Sequence, residues 1–163
     1  MTFNETPATT GTPTTVAASA TTANPGTTLT GTATLTVYPP TTVTHFGVFT
    51  FPVAVSGTPT GVYVAALNAS NQVVTGYIGT VSFTSSDSTA TVSATAGGTA
   101  TTLNGFTYTF TTADAGVHKF YFTFGTVGQQ TLTVTDTANA GSSGSANVDV
   151  VTRQPHHRHH DDD

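Results

Sequence analysis

The stretch from Gly105 to Val127 constrains this chain more than any other. Phe106, Tyr108 and Phe110 alternate with Thr107, Thr109 and Thr111; His118, Phe120, Phe122 and Phe124 then alternate with Lys119, Tyr121 and Thr123. A period of two marks a strand with one buried face, and β-branched threonine suits the other face. Between the runs, Asp114-Ala115-Gly116 supplies turn chemistry, because Asp bonds nearby backbone and Gly accepts positive φ. Buried aromatic side chains contribute about 1.5–3 kcal/mol each. The two runs are therefore expected to form a hairpin at the centre of a β core. The expected core side chains are Val81, Phe83, Phe106, Tyr108, Phe110, Phe120, Phe122, Phe124, Leu132 and Val134.

The same period recurs through the body of the chain, at the spacing of a β-sandwich. Phe49, Phe51, Val53 and Val55 suggest one strand, with Pro52 demoting it to a sheet edge. Val62, Val64 and Ala66 share a face of the next strand. Val73-Val74 follows, then Thr80–Ser85 with Val81 and Phe83 inward. Ala90–Thr95 is weaker. Gln130–Thr135 and Ala146–Val151 close the series. No segment carries a helical period. The expected class is all-β, a sandwich of about seven strands over residues 45–152.

Ahead of it lies an arm, residues 1–44. Residues 1 to about 28 are rich in Thr, Ala, Pro and Gly, and read as extended linker. Ala33, Leu35 and Val37 then alternate with Thr up to Pro39-Pro40, which gives one strand at 29–38. A lone strand needs a partner for its backbone and its apolar face. It either folds back on its own sheet or fills the edge of a neighbouring molecule, so Ala33, Leu35 and Val37 are the candidate assembly strand.

Composition narrows the chemistry. Charged residues are 7% of the chain and cysteine is absent. Disulfides and thiolate chemistry are thereby excluded. Lys119, Arg153 and Arg158 are the only strong cations, too few for a nucleic-acid partner that needs phosphate neutralisation. No apolar run approaches the roughly 18 residues of a membrane-inserting helix. The first residues, Met-Thr-Phe-Asn-Glu-Thr-Pro, lack the basic and apolar regions of a secretory signal. Glu5 is the only glutamate, which rules out a paired-glutamate glycosidase. Asp87, Asp114, Asp136 and Asp149 sit among turn residues, where backbone bonding is the ordinary role; only convergence of several would make a calcium site. His45 and His118 are the sole histidines of the body, and no Gly-x-Ser-x-Gly elbow is present. The chain is not expected to be an enzyme or to need a cofactor. The tail, residues 153–163, differs in kind: His156, His157, His159 and His160 beside three aspartates could ligate zinc, although a solvated tail without metal is the plainer reading. Tyr38, Tyr63, Tyr77 and Tyr121 are candidates for exposed faces, although Tyr63 and Tyr121 are expected to pack across strands. Sequons occur at Asn4 and Asn68.

Three blocks carry a resemblance. Residues 73–87, Val-Val-Thr-Gly-Tyr-Ile-Gly-Thr-Val-Ser-Phe-Thr-Ser-Ser-Asp, look like the middle of a bacterial immunoglobulin-like repeat of surface and secreted proteins. Residues 106–120 are similar to its next block, and Gly128–Asp136 resembles its closing strand. Together they cover about residues 50–151. The resemblance implies a Greek-key sandwich serving as a spacer, adhesion or assembly module. It also implies that the Gly105–Val127 runs are strands E and F, with Asp114, Gly116 and His118 in the place of the tyrosine corner, one imidazole nitrogen bonded to backbone. The resulting expectation is a structural subunit of an extracellular filament or cell-wall appendage that associates with copies of itself or other surface proteins, with a Thr-rich surface able to carry glycans. Alternatives are a virion decoration or fibre protein, and an adhesin or carbohydrate-binding module.

Overall fold

A computed structural model describes residues 14–21, 28–35 and 42–155. The chain divides into two compact units, 1–41 and 42–163. In the first, β1 (Thr14–Thr21) pairs antiparallel with β2 (Thr28–Leu35), Thr14 opposite Leu35 and Thr21 opposite Thr28. The linker expected over residues 1–28 thus contains a strand, and the strand expected at 29–38 has a partner within the arm.

The second unit is a two-layer sandwich. Its strands are β3 (His45–Phe49), β4 (Val53–Val55), β5 (Thr60–Leu67), β6 (Thr80–Ser85), β7 (Thr91–Ser93), β8 (Thr101–Thr102), β9 (Thr107–Thr109), β10 (Val117–Thr123), β11 (Gly128–Asp136) and β12 (Ser143–Val151). One sheet has the order β3-β5-β10-β7-β8, the other β4-β12-β11-β6-β9. All pairs in it are antiparallel except β4 with β12.

Two sequence expectations need correcting. The single strand through Phe49, Phe51, Val53 and Val55 is two: β3 in one sheet and β4 in the other. Pro52 has no N–H to continue a ladder, and its carbonyl instead accepts from Asp149 N–H at 2.8 Å, where the chain changes sheet. Nor do the aromatic runs form an E–F hairpin. β9 pairs with β6, β10 lies between β5 and β7 in the opposite sheet, and a 3₁₀ turn at Thr112–Asp114 carries the chain across. Alternation reports which face of a strand is buried, not which strand lies beside it. In the sandwich order β10 occupies the E place and β11 the F place. Val73-Val74 contributes only an isolated bridge, Val73 to Leu67.

The core lies between the sheets. Phe83 of β6 faces Phe120 and Phe122 of β10, ring centroids 4.8 and 5.8 Å apart. Val81, Phe110, Phe124, Leu132 and Val134 are buried with them, as are Leu103, Val62, Val64 and Val92. Phe106 and Tyr108 are only partly buried, because β9 is an edge strand. At the sandwich margin the backbone of Gly144 in β12 runs against the Phe46 carbonyl of β3, and a Cβ there would overlap it. Gly144→Ala is therefore expected to lower stability by about 1–3 kcal/mol through overpacking against backbone, read as a lower urea midpoint at unchanged slope.

Candidate assembly surface

The Asp114 corner is a closed network. Asp114 Oδ2 accepts from Thr111 N–H (2.7 Å) and the Thr111 hydroxyl (3.0 Å), and the Tyr108 hydroxyl donates to the same oxygen at 3.0 Å. His118, at the start of β10, places Nδ1 2.7 Å from Asp114 Oδ1 and Nε2 2.8 Å from the Ala94 carbonyl. A carbonyl only accepts, so Nε2 carries a hydrogen and donates it. In a catalytic His–Asp pair that nitrogen must face a substrate; here it faces backbone, and the pair has no free base. Gly116 has φ +80, and a Cβ would strike the Val74 carbonyl. Burial raises the Asp114 carboxyl, but the Thr111 and His118 hydrogen bonds outweigh burial and hold it below the usual range. Tyr108 is pushed up to about 12, first by burial and then by the bond and charge of Asp114. Because a raised pKa favours the neutral phenol in the folded state, the Tyr108 contribution to stability is full below about pH 10 and falls as pH rises through about 12. An ultraviolet phenolate titration should show two late-ionising tyrosines, Tyr77 and Tyr108, of which Asp114→Asn makes one ionise earlier.

The remaining carboxylates serve separate loops. Asp87, 1% exposed, accepts from the N–H and hydroxyl of both Thr89 and Thr126 and from Gly125 N–H. Asp136 accepts from the Tyr77 hydroxyl (2.6 Å), Ala138 N–H and Asn139 N–H. Tyr77, a candidate for an exposed face, is instead half-buried between Phe46 and Phe110. Asp149 is exposed on β12. Among the described residues no three histidines or carboxylates converge to hold a metal. The tail residues His156, His157, His159 and His160 lie outside the described residues, as does Val37; Ala33 and Leu35 lie in β2. The Asn68 side chain closes its own turn, accepting from Ser70 and Gln72 N–H.

The least satisfied surface is apolar. Phe49 (57% exposed), Phe51 (74%) and Tyr63 (47%) stand together where β3 passes to β4. Phe49 and Tyr63 are directly opposite across β3 and β5. The Phe49 ring lies over Gly47, and Gly61 leaves a shallow notch bordered by Phe49, Thr50, Phe51 and Tyr63. Lys119, one strand further, sets its ammonium 5.2 Å from the Tyr63 ring centre and 5.3 Å from Tyr121, within cation–π range. Sequence reasoning put Phe49, Phe51 and Val53 on an ordinary strand face. It took Pro52 only as the mark of a sheet edge; the break that Pro52 makes, with Gly47 beneath the Phe49 ring, leaves the aromatic rings outside.

No protein-family model and no curated protein matches this sequence. Solved structures do. The chain aligns with domains 4–9 of surface layer protein SbsC at TM-score 0.50 and 19% identity, covering 88% of this chain and 19% of that one. It aligns with the Yersinia pseudotuberculosis adhesin InvE at TM-score 0.52 and 16% identity, covering 85% and 49%. A glycosyl hydrolase family 2 member from Bacteroides cellulosilyticus aligns at 0.51 and 15%, covering 84% and 17%. The chain thus spans a fifth to a half of the structures it resembles. At these identities the likeness concerns the fold. Two facing sheets, the β3–β4 switch between them and these matches establish an immunoglobulin-like sandwich of the kind found in bacterial surface-layer and adhesin proteins.

Proposed function

We propose that this chain is a non-enzymatic structural module of an extracellular assembly at a cell surface, associating with other copies of itself. The observation that carries the reading is where its chemistry is spent. The polar groups that could have served a reaction, His118, Asp114, Asp87 and Asp136, are bonded to the protein's own loops. What remains outward is uncharged threonine and an apolar margin. The fold likeness to surface-layer and adhesin domains supports a surface setting.

The arm takes part in this reading. Its register sets Val16 opposite Ala33, Ala18 opposite Gly31, Ala20 opposite Leu29 and Thr14 opposite Leu35. A two-stranded ribbon with one apolar face is marginal in water and gains stability when that face is covered. The unit offered to a neighbouring copy is then a hairpin rather than a lone strand, presenting Ala33 and Leu35. Electron microscopy of the purified full chain tests the reading. Filaments or ordered sheets are expected; dispersed single particles at every concentration would remove it.

A further inference from the structure

We propose that the sandwich is a load-bearing element, built so that tension along the chain shears its two terminal segments instead of peeling them away. The property belongs to the second unit alone and goes beyond self-association, since it holds whether or not copies meet.

The course of the backbone carries the inference. The Ser142 hydroxyl donates to the Val43 carbonyl at 3.1 Å, and Gly144 lies against the Phe46 carbonyl. Further along, the Pro52 carbonyl accepts from Asp149 N–H, and Val53, Ala54 and Val55 pair parallel with Asp149, Val150 and Val151. Ser56 N–H closes the series on the Val151 carbonyl at 2.8 Å. Residues 43–56 therefore run beside residues 142–151 in the same direction. The chain enters the sandwich at one end of β12 and leaves it at the other, about 30 Å away for a strand of nine residues.

That geometry decides how force acts. A pull between residues 42 and 152 is directed along the strands, while the hydrogen bonds between strands lie across them. β3 would have to slide past β5 over five residue pairs, β4 past β12 over three, and β12 past β11 over eight. Sliding loads every rung of a ladder at once, so the rungs must break together. Peeling loads only the last rung and breaks them in turn. Sliding would also withdraw Phe46, Ala54, Val148 and Val150 from the core. An antiparallel β4 would put entry and exit at the same end, where the ladder unzips. The β4–β12 pair, the sandwich's one parallel pair among the described residues, keeps them apart.

The test is constant-force spectroscopy on the full chain. With no native cysteine, introduced pairs set the axis. Thr42→Cys with Thr152→Cys pulls along the strands. Thr58→Cys with Thr152→Cys pulls the adjacent ends of β4 and β12 apart sideways. All three positions are exposed. At equal force the first pair is expected to stay folded roughly a hundredfold longer, because several rungs rather than one must break at the barrier. Ser56→Pro removes the N–H bound to Val151 and should shorten the lifetime on the 42–152 axis about tenfold. Thr137→Pro removes an N–H bound to the Thr80 carbonyl, outside both terminal segments, and should shorten it much less. Equal lifetimes on the two axes overturn the proposal, and so does a Ser56→Pro effect no larger than that of Thr137→Pro. The comparison of axes decides even where a proline variant does not fold.

Discussion

Replacing Asp87 with alanine is expected to cost about 3–5 kcal/mol, the largest effect of any polar substitution in the molecule. The carboxylate follows β6 and reaches 38 and 39 residues along the chain to the turn after β10. Three backbone N–H groups, of Thr89, Gly125 and Thr126, converge on it with two threonine hydroxyls. Alanine leaves all five donors without their acceptor, in a site from which water is largely excluded. Asparagine keeps the shape and one acceptor but points an NH₂ at groups that can only donate or must reorient. It should therefore be destabilising as well, to a lesser degree.

The pH dependence has a definite sign. Burial alone would raise the Asp87 carboxyl, but the hydrogen bonds from Thr126 and Thr89 outweigh it and hold the group well below the usual carboxylate range. A depressed pKa means that the folded state prefers the charged form. The contribution is therefore fully present above the unfolded value of about 3.9 and lost as pH falls toward the folded one. Urea midpoints measured from pH 7 downward should show wild type and Asp87→Ala converging below about pH 4. A constant gap across that range would show that the charge is not what stabilises the loop.

Phe83→Ala is expected to cost about 3–5 kcal/mol, for a different reason. Phe83 is fully buried and joins the two sheets, with Phe120 at 4.8 Å, Phe106 at 5.7 Å and Phe122 at 5.8 Å. Its removal leaves a cavity lined by rings anchored on different strands, which cannot all move in to fill it. Phe83→Leu should recover much of the loss, because a volume-conserving apolar swap costs less than a cavity. Thermal melts of the three proteins order wild type, Leu and Ala from high to low. An alanine variant that melts with wild type would mean that the sheets are not held together here.

The sandwich was legible because each strand repeats the same local statement. Val81 and Phe83 against Ser82 and Thr84, or Leu132 and Val134 against Thr131 and Thr133, fix an inner and an outer face without knowledge of any partner. Pairing was not legible. The Phe106–Phe110 and His118–Phe124 runs are adjacent in sequence with a turn between, and local rules read that as a hairpin. The 3₁₀ turn at Thr112–Asp114 and the positive φ of Ala115 and Gly116 send the chain to the other sheet instead. Leu103 is fully buried yet stands alone between threonines and Asn104-Gly105, with no period to betray it. Asp87 gave only a turn signal, since its decisive partners lie in a distant loop. The outer aromatics inverted the usual rule: Phe49 and Phe51 have core composition, and the break at Pro52, with Gly47 beneath the Phe49 ring, leaves them outside.

What the surface lacks is as informative as what it holds. Of the eleven charged residues, Lys119, Asp136 and Asp149 lie in strands of the sandwich, so its faces carry few charges and short-range apolar contact can decide association. Against that background, Tyr63 and Tyr121 flanking Lys119 supply the one charged element of the outer β5–β10 face.

Sedimentation velocity of the full chain from micromolar to millimolar concentration tests the central claim most directly. A self-associating surface module predicts a weight-average sedimentation coefficient that rises continuously with concentration. A single monomeric boundary, unchanged over the whole range, would contradict it.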